Sequence, residues 1–317
     1  MQPVSRFAAI DVGTNSVLLL VAERQPDGRF IAVEERSDIT RLGQGVDQSK
    51  RLAPDALEAT LKAVERYAHE ARELGAKGIV VSATSAARDA TNGHEFIEGA
   101  RTRAGVEVEI ISGAEEARLS FASAFSDFGG QHPLVVLDIG GGSTEFIYGS
   151  PGGEITFRHS FDVGSVRLTE RHVKTDPPSP QELDAIDAML KDTFASLPKP
   201  PAGFRMVGVA GTVTTLAAVA RRVAPYDPAL IHGSSLTFDE VNAAVTRLAS
   251  LPTHLRKTVP GLQPKRADVI VAGGLVFRAA MRAVNVAEVT VSDRGLRWGL
   301  CLHCLEPPES AWLGRVD

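Results

Sequence analysis

Short apolar runs alternate along the chain with stretches in which apolar side chains recur every third or fourth position. The first kind reads as buried strands and the second as amphipathic helices. Two of the strand signals are near copies of each other. Residues 8–19 read Ala-Ala-Ile-Asp-Val-Gly-Thr-Asn-Ser-Val-Leu-Leu, and residues 135–146 read Val-Val-Leu-Asp-Ile-Gly-Gly-Gly-Ser-Thr-Glu-Phe. Asp11 aligns with Asp138, Gly13 with Gly140, and Ser16 with Ser143. Both copies continue in the same way. Val17–Glu23 reads as a strand, Gln25-Pro26-Asp27-Gly28 as a turn and Phe30–Glu35 as a returning strand; Glu145–Gly149, Pro151-Gly152-Gly153 and Ile155–Phe161 repeat that order. A strand, a glycine turn and a strand hairpin, present twice, predict two similar domains facing each other.

Helical periodicity fills the intervals. Asp55–Leu74 places Leu57, Leu61, Val64, Ala68 and Ala71 on one face and ends at Gly75. Further helices are predicted over Glu95–Arg103, Ser112–Phe128, Glu182–Leu197, Thr212–Arg222, Asp239–Leu251 and Arg294–Leu305. Ser112 and Glu115 make the Ser-x-x-Glu pattern of a capping box. Short strands are predicted at Gly78–Ser82, Val106–Ile111, Met206–Ala210 and Glu288–Ser292, and Asp268–Val284 is read as containing one more Gly-Gly turn. Strands alternating with helices predict an α/β protein with mixed sheets. The boundary is placed near Gly129-Gly130, giving domains 1–128 and 129–317, with the C-terminal helix from about residue 294 a candidate to pack back on the first domain. The proline-rich stretches at 176–180 and 198–201 read as surface connectors.

Composition narrows the class. The chain has 317 residues, 44% apolar and 23% charged, which suits two soluble domains with sizeable cores. A net charge of −5 supplies no global basic field for nucleic acid or an anionic membrane, so neither is expected as a partner. No stretch approaches the roughly 20 apolar residues of a membrane span. The N-terminus runs straight into the first motif, so no signal peptide is expected. Cys301 and Cys304 form a single CxxC within a helix-like apolar context, which reads as packing thiols rather than a metal or redox site. A cytoplasmic location follows as an expectation.

The paired glycine turns carry the chemistry. Glycine lets a ligand approach the main chain without a Cβ in the way, and successive amides in such a turn form an anion-binding nest. Thr14, Asn15, Ser16, Ser143 and Thr144 add side-chain donors around Gly13, Gly140, Gly141 and Gly142. Two matching turns predict two loops closing on phosphate from opposite sides. Asp11 and Asp138 end apolar strands beside these turns, where a carboxylate would repel phosphate unless a cation lay between them. Mg2+, or Mn2+ in its place, bound by Asp138 and Glu145 with Asp11 near, answers that need. The plainer alternatives are turn capping for the aspartates and a solvent-facing Glu145.

Several stretches in order along the chain resemble the exopolyphosphatase / guanosine pentaphosphate phosphohydrolase (Ppx/GppA) phosphatase family of the actin-like superfamily. They are Ile10–Ser16, Ala83-Thr84-Ser85-Ala86-Ala87-Arg88-Asp89-Ala90, Ile111-Ser112-Gly113-Ala114-Glu115-Glu116-Ala117-Arg118, Asp138–Glu145, Gly208-Val209-Ala210-Gly211-Thr212 and Ser292–Gly299. The resemblance implies two actin-like (ribonuclease H-like) domains with mixed five-stranded sheets and an active site in the interdomain cleft. It also implies phosphate contacts from Gly211 and Thr212, and a homodimer. Longer family members carry an additional C-terminal helical region, whose functions are not carried over to a chain ending at Asp317.

Within the Glu115-Glu116 pair, neighbours on a helix point about 100° apart, so the two have different jobs. The capping box accounts for Glu115. The resemblance makes Glu116 the catalytic carboxylate, a base that orients and deprotonates water. Arg88 is the candidate phosphate clamp. His254, Arg256, Lys257, Lys265 and Arg266 form the best of several basic candidates for a polyphosphate channel, ahead of Arg41, Lys50, Arg51 and Arg221-Arg222. The expected reaction is release of terminal orthophosphate from inorganic polyphosphate. Removal of the 5′ terminal phosphate of guanosine pentaphosphate is the alternative, disfavoured by a 6% aromatic content that offers few stacking surfaces for guanine. A small-molecule kinase of the same superfamily and a non-catalytic nucleotide switch are the further alternatives. The presence of Glu116 and of the Thr-Ser-Ala-Ala-Arg stretch argues against both.

Overall fold

The structure is a computed structural model and describes residues 5–25 and 30–305, of Cys304 and Leu305 the backbone only. The turn predicted at residues 25–28 therefore lies largely outside the described residues, as does the thiol of Cys304. The chain divides into two compact units, one reaching to Ser123 and resuming at Leu296, the other Ala124–Gly295.

The first unit holds β1 (Arg6–Val12), β2 (Ser16–Arg24), β3 (Phe30–Ile39), α1 (Val46–Ser49), α2 (Pro54–Glu73), β4 (Ile79–Ala83), α3 (Ser85–Asp89), α4 (Gly93–Ala104) and β5 (Val108–Ile110). Helix α5 (Gly113–Phe128) starts there and continues unbroken past the division, so the change of unit falls inside a helix rather than at Gly129-Gly130. The second unit holds β6 (Leu134–Ile139), β7 (Thr144–Gly149), β8 (Ile155–Phe161), α6 (Ser165–His172), α7 (Pro180–Phe194), β9 (Arg205–Val209) and α8 (Ala210–Arg221). It continues with α9 (Pro228–Ile231), β10 (Ser235–Thr237), α10 (Phe238–Ala249), α11 (Thr253–Arg256), α12 (Ile270–Ala283) and β11 (Glu288–Val291). Helix α13 (Leu296–Leu305) belongs to the first unit.

The sequence repeat is a repeat of topology. The first sheet has the order β3-β2-β1-β4-β5 and the second β10-β11-β9-β6-β7-β8. In each, the motif strand is central: β1 pairs antiparallel with β2 and parallel with β4, and β6 pairs antiparallel with β7 and parallel with β9. The second sheet has six strands, not five, because β10 pairs antiparallel with β11 at its edge. Three residues give too short an apolar run to be read from the sequence. β6 is buried along its whole length, as a strand flanked on both sides must be. β3 ends its sheet with the polar run Glu34-Glu35-Arg36-Ser37-Asp38, suited to an edge.

The predicted Gly-Gly turn near Gly273-Gly274 is instead the interior of the continuous helix α12. The glycines are there for close packing. A methyl group on Gly273 would lie 2.8 Å from Thr212 Cγ2 and 3.0 Å from Ser165 Cβ, and one on Gly274 would lie 2.6 Å from Val245 Cγ2. The stretch at 176–180 does more than connect: Ser179 and Glu182 cap α7 reciprocally, with Pro180 in its first turn. Glu182 also accepts from the Thr175 hydroxyl and from the Lys174 and Thr175 amides, which holds its carboxyl down to about 2.

The first sheet is covered on both faces. Ile10, Val12, Val17 and Leu19 join Tyr67 and Phe96 in one core, while Ala9, Leu20 and Ala22 pack with Leu119, Leu296, Trp298, Leu300 and Cys301 in another. Among the described residues no helix is long and apolar enough to cross a membrane. α13 approaches α5 so closely that a methyl on Gly299 would overlap the Leu119 backbone, whereas one on Gly295 would meet nothing. Gly299→Ala is therefore expected to cost about 1–3 kcal/mol as an overpacking substitution. Urea unfolding should show that loss, with Gly295→Ala unchanged as its control.

Candidate active site

The second glycine turn is built from its carbonyls outward. Gly140 N–H donates to Ser143 O at 3.0 Å and closes the turn. Its carbonyls then bind the start of α6: Ser165 N–H reaches Gly140 O at 3.0 Å, and the amides of Val166 and Arg167 reach Gly141 O at 2.9 and 3.1 Å. Gly142 O accepts from Arg167 Nε at 2.7 Å. In a planar trans peptide the carbonyl of one residue and the N–H of the next point to opposite sides. The amides of Gly141, Gly142 and Ser143 are thereby directed away from α6, and none of them has an acceptor among the described residues. Three such donors in succession are an anion nest. The gap left by the missing side chains is partly filled by protein, since a Cβ on Gly164 would sit 2.5 Å from Gly141 O.

The first turn is closed by the same bond, Gly13 N–H to Ser16 O at 2.9 Å. Here the carbonyls are held by the segment after β3. Gly43 N–H donates to Thr14 O at 2.8 Å, and the amides of Thr40 and Arg41 donate to Asn15 O at 3.2 and 3.0 Å. Arg41 takes a left-handed conformation, φ 59°, to make that contact. Thr14 Oγ1 and Ser85 Oγ share a hydrogen bond of 2.8 Å, which ties the turn to α3. Asn15 is 6% exposed, and among the described residues neither end of its buried side-chain amide has a hydrogen-bond partner. A buried unsatisfied group costs about 1–3 kcal/mol; a ligand oxygen accepting from Nδ2 would remove the part of that cost due to the donor end.

The carboxylates differ between the copies. Asp138 and Glu145 are direct cross-strand partners on β6 and β7, so both project from one face of the sheet, and both are buried. Ser160, next across on β8, donates to Glu145 Oε1 at 2.6 Å. In the first copy the partner of Asp11 across β2 is Leu18. A buried pair of acids held side by side fits a divalent cation that takes its other ligands from substrate and water. No group of three His, Cys, Asp or Glu side chains able to hold a metal occurs among the described residues. Asp138 and Glu145 are the residues of this sheet face that could hold a divalent cation.

Glu116 lies in the first turn of α5, 9% exposed, with Oε2 3.7 Å from Arg88 NH1. Arg88 NH1 also donates to Ile111 O at 2.8 Å. Arg88 is in α3, three residues after Ser85, so the two share a helix face. That face carries the hydroxyl on the first turn and the guanidinium on Glu116. Glu115 has the separate role its position implies. Its N–H donates to Ser112 Oγ at 3.1 Å, and its carboxylate takes Arg118 in a two-point contact, Nε to Oε2 at 2.7 Å.

Gly211 and Thr212 open α8, with Thr212 and Ser165 side by side against Gly273. A methyl on Gly211 would overlap the Arg266 guanidinium. Burial pushes the Arg266 pKa below its ordinary value, against the opposing pull of Tyr226 and Asp293. A guanidinium stays protonated regardless. The rest of the predicted basic segment divides. Arg256 does not belong to a channel: it is 2% exposed and spends its donors on Leu251 O, Ala267 O and Asp176. It is a cross-brace of the fold. His254, Lys257 and Lys265 are exposed. Residues not singled out from sequence are Arg167, Ser165 and Ser160. None sits in a glycine-rich stretch, and only pairing across the sheet and the docking of α6 bring them to the turns.

Two sheets of one strand order, each opening its hairpin on a glycine turn, define a two-domain actin-like α/β protein. The sequence profile of the Ppx/GppA phosphatase family matches residues 20–307, and the chain belongs to that family. It is 37% identical to exopolyphosphatase 2 of Mycobacterium tuberculosis, over 94% of this chain and 98% of that one. Among solved structures, the Aquifex aeolicus Ppx/GppA family member matches with a TM-score of 0.81 at 32% identity, covering 96% of this chain and 98% of that one. An exopolyphosphatase from Cytophaga hutchinsonii matches with a TM-score of 0.86 at 25% identity, covering 95% and 98%.

Asn15→Leu tests whether the first turn is built for a ligand. Replacing the unsatisfied amide by an apolar group of similar size should raise unliganded stability by about 1 kcal/mol in urea unfolding. The same change should weaken inorganic pyrophosphate binding by about 10-fold in calorimetric titration. Loss of stability with unchanged affinity would contradict it.

Proposed function

We propose that the chain is a divalent-metal-dependent exopolyphosphatase: water attacks the terminal phosphorus of inorganic polyphosphate, the terminal P–O–P bond breaks, and orthophosphate leaves. The observation that carries this reading is the doubled turn, closed by the same hydrogen bond in both copies and lined in the second by three amides with no acceptor among the described residues. The names borne by the relatives at 37% and 25% identity support the same substrate class.

Each group has a definable task. The amides of Gly141, Gly142 and Ser143, with Thr144 and Thr212 nearby, bind non-bridging phosphate oxygens. Gly13, Thr14, Asn15 and Ser16 do the same from the first turn. Arg88 supplies a planar donor for a phosphate. Phosphoryl transfer passes through a loose transition state, so positioning and charge neutralisation provide most of the rate. Glu116 accepts a hydrogen bond from the attacking water and takes its proton. Arg88, 3.7 Å away, holds its carboxylate in place. Asp138 and Glu145 are the residues that would hold Mg2+, which when bound lends positive charge to the reacting phosphoryl group. Ser160 fixes Glu145 for that purpose. A buried thiol at Cys301 suits a reducing cytoplasm, and a homodimer is proposed on family likeness.

Orthophosphate release from polyphosphate and from guanosine pentaphosphate, assayed side by side, tests the substrate; a large preference for the nucleotide would reverse the assignment. Glu116→Gln should lower kcat by about 100-fold or more, with KM little changed, as expected for loss of a general base. Asp138→Asn should raise the Mg2+ concentration needed for half-maximal rate by about 10-fold or more. An unchanged metal requirement would remove Asp138 from the metal site.

A further inference from the structure

Arg167 is 7% exposed, lies in the first turn of α6 and was not expected at the site from sequence. Its position follows from a shortage of donors. The turn presents three carbonyls to α6. The first-turn amides of the helix satisfy two of them, Gly140 O and Gly141 O. The third, Gly142 O, is beyond their reach and is met by a side chain, Arg167 Nε, at 2.7 Å. That bond fixes the plane of the Gly142–Ser143 peptide, and so the direction of the Ser143 N–H. Glycine on one side leaves this peptide free to rotate, so without the bond its orientation would be poorly determined. Among the described residues the first turn contains no equivalent: the carbonyls of Thr14 and Asn15 are held by backbone amides.

We propose that Arg167 is a positioning residue for phosphate binding, holding the Gly142–Ser143 peptide so that the Ser143 amide faces the anion, and adding a buried positive charge behind the nest. This rests on reading Gly140–Ser143 as a phosphate cradle. The charge acts through the peptide dipole and through space, strengthened by its low exposure. Arg167 itself need not touch substrate.

The test uses the full chain and inorganic pyrophosphate as probe. Arg167→Met, similar in length but without donor or charge, should weaken pyrophosphate binding by about 10-fold or more in calorimetric titration of folded protein. KM for polyphosphate should rise by a similar factor, with kcat less affected. Arg167→Lys, which keeps the charge and a donor, should recover much of the affinity. A residue that served stability alone would lower the unfolding midpoint and leave pyrophosphate affinity unchanged; that result overturns the proposal. Should Arg167→Met fail to fold, hydrogen exchange of the wild-type segment 140–144 decides. Slowing by pyrophosphate is expected, and no slowing overturns the proposal. Wild-type protein that binds pyrophosphate but releases no orthophosphate would refute the hydrolase reading while leaving this one intact.

Discussion

A planar peptide cannot turn its carbonyl without turning the neighbouring amide. Every feature of the two glycine turns follows from that constraint. Carbonyls taken up by α6 in one copy, and by residues 40–43 in the other, commit the amides behind them to the opposite side. The scaffold behind each turn therefore decides where the turn's amides point. Close approach explains why Gly164 precedes α6 and why α12 has Gly273 in its interior. The first admits the turn to the helix backbone, and Gly273 admits Thr212 and Ser165 to each other.

The duplicated architecture is not used symmetrically. Both central strands end in an aspartate, yet only β7 places a second acid opposite it, and only β8 braces that acid with a hydroxyl. The first copy has Leu18 in the corresponding position. Its own specialisation is the α3 face, where Ser85 anchors the turn and Arg88 meets Glu116. The two copies thus share a backbone and differ in side chains: the second carries a buried pair of acids, the first a guanidinium beside a glutamate.

Arginines that bind backbone carbonyls show how little residue type says without context. Arg256, Arg167 and Arg88 all satisfy backbone carbonyls. The first braces α11 against Ala267 and Asp176, far along the chain, and its charge is absorbed within the fold. The second shapes a peptide at the glycine turn. The third reaches a carboxylate beside the first turn's helix. Only the carbonyl chosen and the neighbours of the guanidinium distinguish a brace from a working group.

Periodicity, glycine and the repeated aspartate determined the α/β class, the doubled unit, the two turns and the separation of Glu115 from Glu116. These are local properties: a strand needs an alternating or apolar run, a cap needs its Ser-x-x-Glu spacing, and a ligand-facing turn needs missing side chains. Tertiary structure alone decided the rest. It made Gly273-Gly274 a helix interior, because the need for glycine came from Thr212 and Val245 and not from a turn. It withdrew Arg256 from the basic segment, because Asp176 is distant in sequence and adjacent in space. It recruited Arg167 and Ser160, because hydrogen bonds across a sheet and at a docked helix join residues that no spacing along the chain connects.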